Sequence, residues 1–376
     1  MAKIVIIGPA HPLRGGLATF NERLALAFQE AGDEVTIETF SLQYPGFLFP
    51  GQTQYTTDPK PAHLNIRVDI NSVNPLSWLK VGNRLRREKP DIVLFRFWLP
   101  FMGPCFGSIA RIIARNRHTR LVAITDNVIP HEKRPGDTPF TKYFLSALHG
   151  FITMSESVLK DLNQFEPGKP KRYNPHPLYD NFGAPVEKAA ARKKLGIAAK
   201  DRVILFFGFI RAYKGLDLIL KALADERLQK LNVKLIVAGE FYEDAAPYHK
   251  LINELGIKDR LILATGFIPN DAVVNYFCAA DLVVQPYKNA TQSGVSQVAY
   301  HFNKPMVVTN VGGLPELIPD GKVGYVTEIS PEAIAKAITD FYEQNKEAEF
   351  SANAAEVKKQ FSWSKLIANI KEVAAK

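Results

Sequence analysis

Residues 203–215 read Val203-Ile-Leu-Phe-Phe-Gly-Phe-Ile-Arg-Ala-Tyr-Lys-Gly215. Val203 to Phe207 is an apolar run of branched and aromatic residues, which predicts a buried strand. Gly208 breaks the run. Gly215 then opens an apolar pattern at helical spacing through Leu216, Ile219, Leu220 and Leu223. Between strand end and helix start stand two cations, Arg211 and Lys214. In open α/β sheets ligands bind at the carboxyl ends of strands, where helix amino termini also favour anions. Two fixed cations at such a place suit a diphosphate; the competing reading is an exposed loop that happens to be basic.

The same alternation runs outward in both directions. Before it, strands are expected at Lys3–Gly8, Glu34–Phe40, Leu64–Ile70, Asp91–Phe97, Arg120–Thr125 and Phe151–Met154, with helical patterns at Leu17–Ala31, Leu76–Glu88, Gly107–Arg115, Thr141–Leu148 and Ser155–Gln164 between them. After it come strands at Val233–Ala238, Arg260–Thr265, Asp281–Gln285, Pro305–Thr309 and Gly324–Thr327, again separated by helical patterns. Such repetition predicts parallel, doubly wound sheets. At 376 residues the chain exceeds one ordinary core, so two domains are expected. The Pro- and Gly-bearing stretch 174–187 is the expected connection, with a ligand cleft between the domains. The expected division is an amino-terminal domain over 1–180 and a donor domain over 181–360. Tyr44 to Ala62 is a long loop, and long loops in compact domains are often functional.

With 46% hydrophobic and 23% charged residues the chain is globular. Cys105 and Cys278 lie far apart in apolar surroundings, which suggests reduced, buried thiols in a cytoplasmic setting and neither a disulfide framework nor a zinc site. The amino terminus runs straight into a strand, so no signal peptide is expected. The most apolar segment, Phe95 to Ala114, is interrupted by Arg96, Pro100, Pro104 and Arg111, which argues against a spanning helix. The formal charge is +9, and residues 1–180 carry 22 Lys and Arg against 16 Asp and Glu. A basic half of this kind can face the anionic inner surface of a membrane or an anionic substrate, and solvated helix ends explain it equally well. No nucleic-acid motif accompanies the charge.

Other candidates sit at predicted strand ends. Gly15-Gly16 precedes the first helix, where adjacent glycines allow close approach of a substrate to a positive helix end. Asp126-Asn-Val-Ile-Pro-His-Glu132 follows a strand, and such a polar cluster suits acid–base or sugar-binding groups. His176, in Asn-Pro-His-Pro, reads as structural. In the second half Gly239-Glu240, Gly266-Phe-Ile-Pro269, Thr291-Gln-Ser-Gly-Val295 and Gly312-Gly313 with Glu316 all fall on one sheet edge. Gly266, Phe267 and Ile268 suit backbone contacts to a base, and the Gln292, Ser293, Gly294 and Val295 amides with their helix dipole suit phosphate. No Asp-x-Asp metal handle, Walker lysine or Gly-x-Ser-x-Gly elbow is present, and no metal is expected.

On these residues the chain resembles the family-4 retaining glycosyltransferases of the GT-B fold. The resemblance is carried by Gly15-Gly-Leu-Ala-Thr-Phe20, Gly208-Phe-Ile-Arg-Ala-Tyr-Lys-Gly215, Gly239-Glu240 and Gly312-Gly-Leu-Pro-Glu316. It implies that Arg211 and Lys214 hold the diphosphate of a nucleoside diphosphate sugar, that Gly16 approaches it from the other domain, and that the loop at Gly266–Ile268 receives the base. It also implies that the helix after Trp363, over 361–376, crosses back to the first domain. The family's glutamate pair falls here on Ala290 and Val298, so the ribose contact is unassigned. A sub-branch shares the Gln-Ser-Gly loop and an Asn-Val-x-Pro-His-Glu loop. The acceptor-side group is either His131 or Asp126.

The expected activity is transfer of a sugar from a nucleoside diphosphate sugar, a co-substrate, to a glycan or lipid-linked acceptor, with retention and without a metal or other cofactor. Arg211, Lys214 and the Ser293–Val295 amides would offset charge developing on the departing diphosphate. A nucleotide-sugar epimerase of the same fold and a non-catalytic two-domain binding protein are the alternatives.

Overall fold

The computed structural model describes residues 1–46, 53–130, 134–290 and 293–376. The chain forms two compact units, one of Met1–Pro177 together with Ser362–Lys376 and one of Leu178–Phe361.

The first unit runs β1 (Lys3–Ile7), α1 (Gly16–Glu30), β2 (Glu34–Leu42), β3 (Asn65–Asn71), α2 (Pro75–Glu88), β4 (Ile92–Phe97), α3 (Gly103–Ala114), β5 (Arg120–Thr125), α4 (Asp137–Leu145), β6 (Gly150–Thr153), α5 (Glu156–Phe165) and β7 (Lys171–Tyr173). Its seven strands lie in the order β3-β2-β1-β4-β5-β6-β7. Every pairing is parallel. β4, Ile-Val-Leu-Phe-Arg-Phe, is buried along its whole length, as a central parallel strand must be. Phe95, Phe97, Phe106 and Phe144 stack into the core with centroids 4.8–5.6 Å apart. Helix α3 begins four residues before the expected Gly107. Pro104 falls in its first turn, where the missing N–H has no intrahelical partner to lose, and so it starts the helix instead of stopping it.

The second unit runs α6 (Lys188–Lys194), β8 (Arg202–Phe207), α7 (Leu216–Leu223), α8 (Glu226–Lys230), β9 (Val233–Ala238), α9 (Ala246–Leu255), β10 (Leu261–Ala264), α10 (Asn270–Ala279), β11 (Leu282–Gln285), α11 (Gly294–His301), β12 (Met306–Thr309), α12 (Leu314–Leu317), β13 (Gly324–Thr327), α13 (Pro331–Glu343) and α14 (Glu347–Val357). Its six strands, all parallel, lie in the order β10-β9-β8-β11-β12-β13. In each sheet the direction of winding reverses once, between β1 and β4 and between β8 and β11. Crevices for ligands open outside the carboxyl ends of strands at such reversal points.

The last helix, α15 (Trp363–Ala375), belongs to the first unit. Its Trp363 ring packs 5.0 Å from that of Phe20. Arg120 Nε donates to Ala374 O at 2.7 Å, and Asn369 Nδ2 donates to Asn174 Oδ1 at 2.9 Å. Cys105 and Cys278 are both buried free thiols. Among the described residues no helix is long and apolar enough to cross a membrane.

Candidate functional site

The reversal point of the second sheet is where the cationic loop lies. Beyond the end of β8 the backbone continues to pair with the segment after β9: Gly208 N donates to Ala238 O (2.9 Å), Ile210 N to Glu240 O (2.8 Å) and Tyr242 N to Ile210 O (3.0 Å). This approach requires glycine at 239, because a Cβ there would sit 2.1 Å from Gly208 O. The chain then makes a 3-10 turn over Ala212–Lys214 and enters α7. The turn folds Lys214 back over the strand end. Its Nζ lies 3.0 Å, and the Val295 Cγ2 3.6 Å, from where a Cβ on Gly208 would stand. Three separate segments thus meet around Gly208: the strand end, the basic turn and the start of α11.

The electrostatics of this place are unusual. Neither Arg211 nor Lys214 has a carboxylate partner for its charged end among the described residues. Arg211 sits over the Tyr242 ring at 5.3 Å and Lys214 over the Tyr287 ring at 5.5 Å. Close by, Lys288 takes Asp217 at 2.8 Å, so acidic residues are at hand but are spent elsewhere. Burial, and then the charge of Arg211, push the Lys214 ammonium down to about 8. A cation held this way gains from an anion brought alongside.

The amino terminus of α11 completes the arrangement. Ser293, at its N-cap position, does not cap the helix. Its Oγ donates instead to Gln285 Oε1 at 2.5 Å, and Gln285 Nε2 donates to Ser296 Oγ at 3.0 Å. Among the described residues the first-turn amides of Gly294 and Val295 thus receive no cap from the Ser293 side chain, at the positive end of the helix. Two cations and this helix terminus thus lie close around one strand end.

The other expected residues are placed as follows. Glu240 is buried at the end of the β9 loop, and its carbonyl takes the Ile210 amide. Gly266, Phe267 and Ile268 follow β10, with Gly266 exposed and the other two half-buried. In the first unit Gly15 is the residue before α1 and Gly16 its first. Asp126 follows β5 and spends both oxygens on Arg96, whose Nε and Nη2 donate at 2.6 Å each. Both partners are buried, and Arg96 also lies over the Phe20 ring at 3.8 Å. His176 packs edge-on against Phe20 at 5.0 Å, and burial with the nearby Arg96 charge pushes its imidazole down to about 3, keeping it neutral. His131 and Gln292 lie outside the described residues. Among the described residues no three His, Cys, Asp or Glu side chains gather as a metal site. Arg96, Gln285 and Tyr287 escaped the sequence reading, since each is an ordinary strand or strand-end residue whose partner lies far along the chain.

Comparison with known proteins agrees with this geometry. Residues 187–357 match the family described as glycosyl transferases group 1. D-inositol 3-phosphate glycosyltransferase 2 of Catenulispora acidiphila is 30% identical over 218 residues, which are 55% of this chain and 51% of that protein. An uncharacterized glycosyltransferase of Methanocaldococcus jannaschii is 28% identical over 188 residues, 48% of this chain and 46% of the relative. The chain thus spans about half the length of the curated relatives it matches. Among solved structures, sucrose-phosphate synthase of Thermosynechococcus elongatus superposes with a TM-score of 0.75 at 16% identity, covering 99% of this chain and 98% of the other. HepE of Anabaena in complex with UDP gives 0.75 at 18% identity over 99% of both chains. The fold is that of the GT-B glycosyltransferases, two Rossmann-like units with parallel sheets.

The position of the Lys214 ammonium makes a pH signature. Below about pH 8 the group is charged and attracts an anion; above it the charge is lost. Binding of uridine diphosphate, followed by titration calorimetry, should weaken as pH rises past 8, by at most about tenfold per unit. A Lys214→Arg variant, whose charge persists, should show no such decline. A wild-type affinity unchanged from pH 7 to 9.5 would remove Lys214 from the site.

Proposed function

We propose that this protein is a glycosyltransferase that transfers a sugar from a nucleoside diphosphate sugar to a saccharide or lipid-linked acceptor, with retention of configuration and without a metal. The observation that carries this reading is the pair of cations without a carboxylate partner among the described residues, Arg211 and Lys214, beside the start of α11, which Ser293 does not cap. A diphosphate bound there receives the two positive charges that a metal ion would otherwise supply. As the bond to the sugar breaks, negative charge grows on the departing diphosphate, and donors already in place stabilise it without reorganisation. The family match over 187–357 supports the same assignment, as do solved neighbours recorded with UDP and UDP-glucose. The loop at Gly266–Ile268 takes the base in this reading. On the acceptor side Asp126 serves as the partner of Arg96, and the reacting role falls to His131.

The acceptor is proposed to be presented at an anionic lipid surface. Helix α2 leaves Leu76 73% and Leu79 49% exposed, with Lys80, Arg87 and Lys89 exposed beside them. Basic side chains near such a surface contribute about 1 kcal/mol each. Co-flotation with vesicles containing anionic lipid should be lost in a Leu76→Asp/Leu79→Asp variant and at high salt. Equal flotation of both proteins would exclude this face.

For the transfer step, Arg211→Ala and Lys214→Ala should each lower turnover of labelled donor at least about a hundredfold. Their melting temperatures should stay close to that of the wild type, because among the described residues neither charged end has a carboxylate partner. Normal transfer by both variants would sink the assignment; isomerised sugar without an acceptor would identify an epimerase instead.

A further inference from the structure

A surplus of carboxyl groups is buried in the first unit, beneath α2. Glu38 stands in the middle of β2, and its side chain is 0% exposed. Its carboxylate takes Arg84 Nη2, from α2, at 2.5 Å and Arg67 Nη1, from β3, at 3.3 Å. Neither guanidinium belongs to it alone. Arg84 Nη1 also pairs with Asp69 of β3, and Arg67 Nη1 reaches Glu88 of α2 at 3.0 Å. Three carboxyl groups therefore share two guanidinium groups. These four neighbours are the charges that act on Glu38. Lys80, exposed on α2, acts on Asp69 from farther off. On the other side Glu38 is paired in the sheet with Ile7 of β1, which brings no charge.

With every group ionised the cluster would hold three negative charges against two positive ones. One uncompensated charge around a side chain that water does not reach is costly, and a carboxyl group so placed avoids the cost by keeping its proton. Burial pushes Glu38 up to about 7; Arg84 and Arg67 oppose the shift, and Asp69 and Glu88 add to it. Once opened to water, a glutamate titrates in its ordinary range, near about 4.3. The closed arrangement thus binds the proton more tightly than the open one. Its added stability is complete below the ordinary range and is lost as pH rises through 7.

We propose that this cluster is a proton-operated latch, which holds α2 to the sheet while Glu38 is protonated and loosens it when Glu38 ionises. With the proton in place, the carboxylates of Asp69 and Glu88 answer the two guanidinium groups. Without it, a third carboxylate repels both of them. Arg84 and Glu88 lie in the last two turns of α2, so lifting that end of the helix separates the like charges and admits water. The exposed Leu76 and Leu79 ride on the same helix, and the latch sets how firmly their face is held. It operates whatever the protein binds or transfers.

The test is hydrogen exchange of the full-length protein at pH 5.5, 7 and 8.5, read by mass spectrometry and corrected for the intrinsic pH dependence of exchange. In the wild type the opening of α2 should grow by about tenfold or more over that range, with no matching change in the second unit. Glu38→Gln has no proton to lose at this place and should keep its α2 protection at all three values. Asp69→Asn leaves two carboxyl groups for two guanidinium groups; it should flatten the dependence as well, and it serves where the glutamine variant does not fold. Protection of α2 that ignores pH in the wild type, or a pH dependence that the variants retain, overturns the proposal. A loss of protection spread evenly over the first unit also overturns it, because Glu38 would then govern overall stability and not the seating of one helix.

Discussion

Two positive charges, Arg211 and Lys214, are held at a strand end with no carboxylate paired to either charged end among the described residues, and the backbone of the second unit holds their loop there. Their loop cannot drift, since its backbone is laddered to the segment after β9 through Gly208, Ile210 and Tyr242. The price is paid in glycine: position 239 admits no side chain because the Gly208 carbonyl occupies the space. The turn over Ala212–Lys214 then sets the ammonium over the strand end, against Val295 at the start of α11. Burial, and after it repulsion from Arg211, opposes a charge on Lys214 in this arrangement and lowers its ammonium. An anion alongside would favour the charged form of such a group.

The first unit shows the opposite solution at its own reversal point. Arg96, on β4, is buried, yet it is matched by the bidentate carboxylate of Asp126 and by the face of Phe20. Breaking such a buried pair by removing one partner is strongly destabilising, by about 3–5 kcal/mol. Phe20 in turn is held by His176 and by Trp363 from α15, so the last helix of the chain supports the strand ends of the first sheet. Matched charge there is architecture. Among the described residues the cations of the second unit, Arg211 and Lys214, have no such carboxylate partner.

What could be read from the sequence follows the same division. The stretch from Val203 to Gly215 was legible because strand, break, cations and helix are contiguous, and the apolar period changes within a dozen residues. The Arg120–Thr125, Val233–Ala238 and Gly324–Thr327 strands match their predicted bounds for the same reason, short buried runs between turn residues. Pairings between distant residues were not legible. Asp126 looked like a free acid because its partner lies 30 positions earlier on a neighbouring strand. Ser293 was read only as part of a phosphate-suited loop, and the fold alone brings Gln285 close enough to take its hydroxyl. The short β7 was hidden by its basic residues, Lys171 and Arg172, which suit an edge strand as well as a loop.

The central claim is that Lys214 waits without a countercharge for a diphosphate. Its ammonium can be followed by NMR through lysine Cε labelling, with the signal assigned by its loss in Lys214→Arg. The free protein should titrate near pH 8, well below an ordinary lysine. Saturation with uridine, guanosine or adenosine diphosphate, whichever binds, should move the midpoint up by at least about one unit. A Lys214 that titrates with the ordinary lysines and ignores the bound nucleotide would contradict the account.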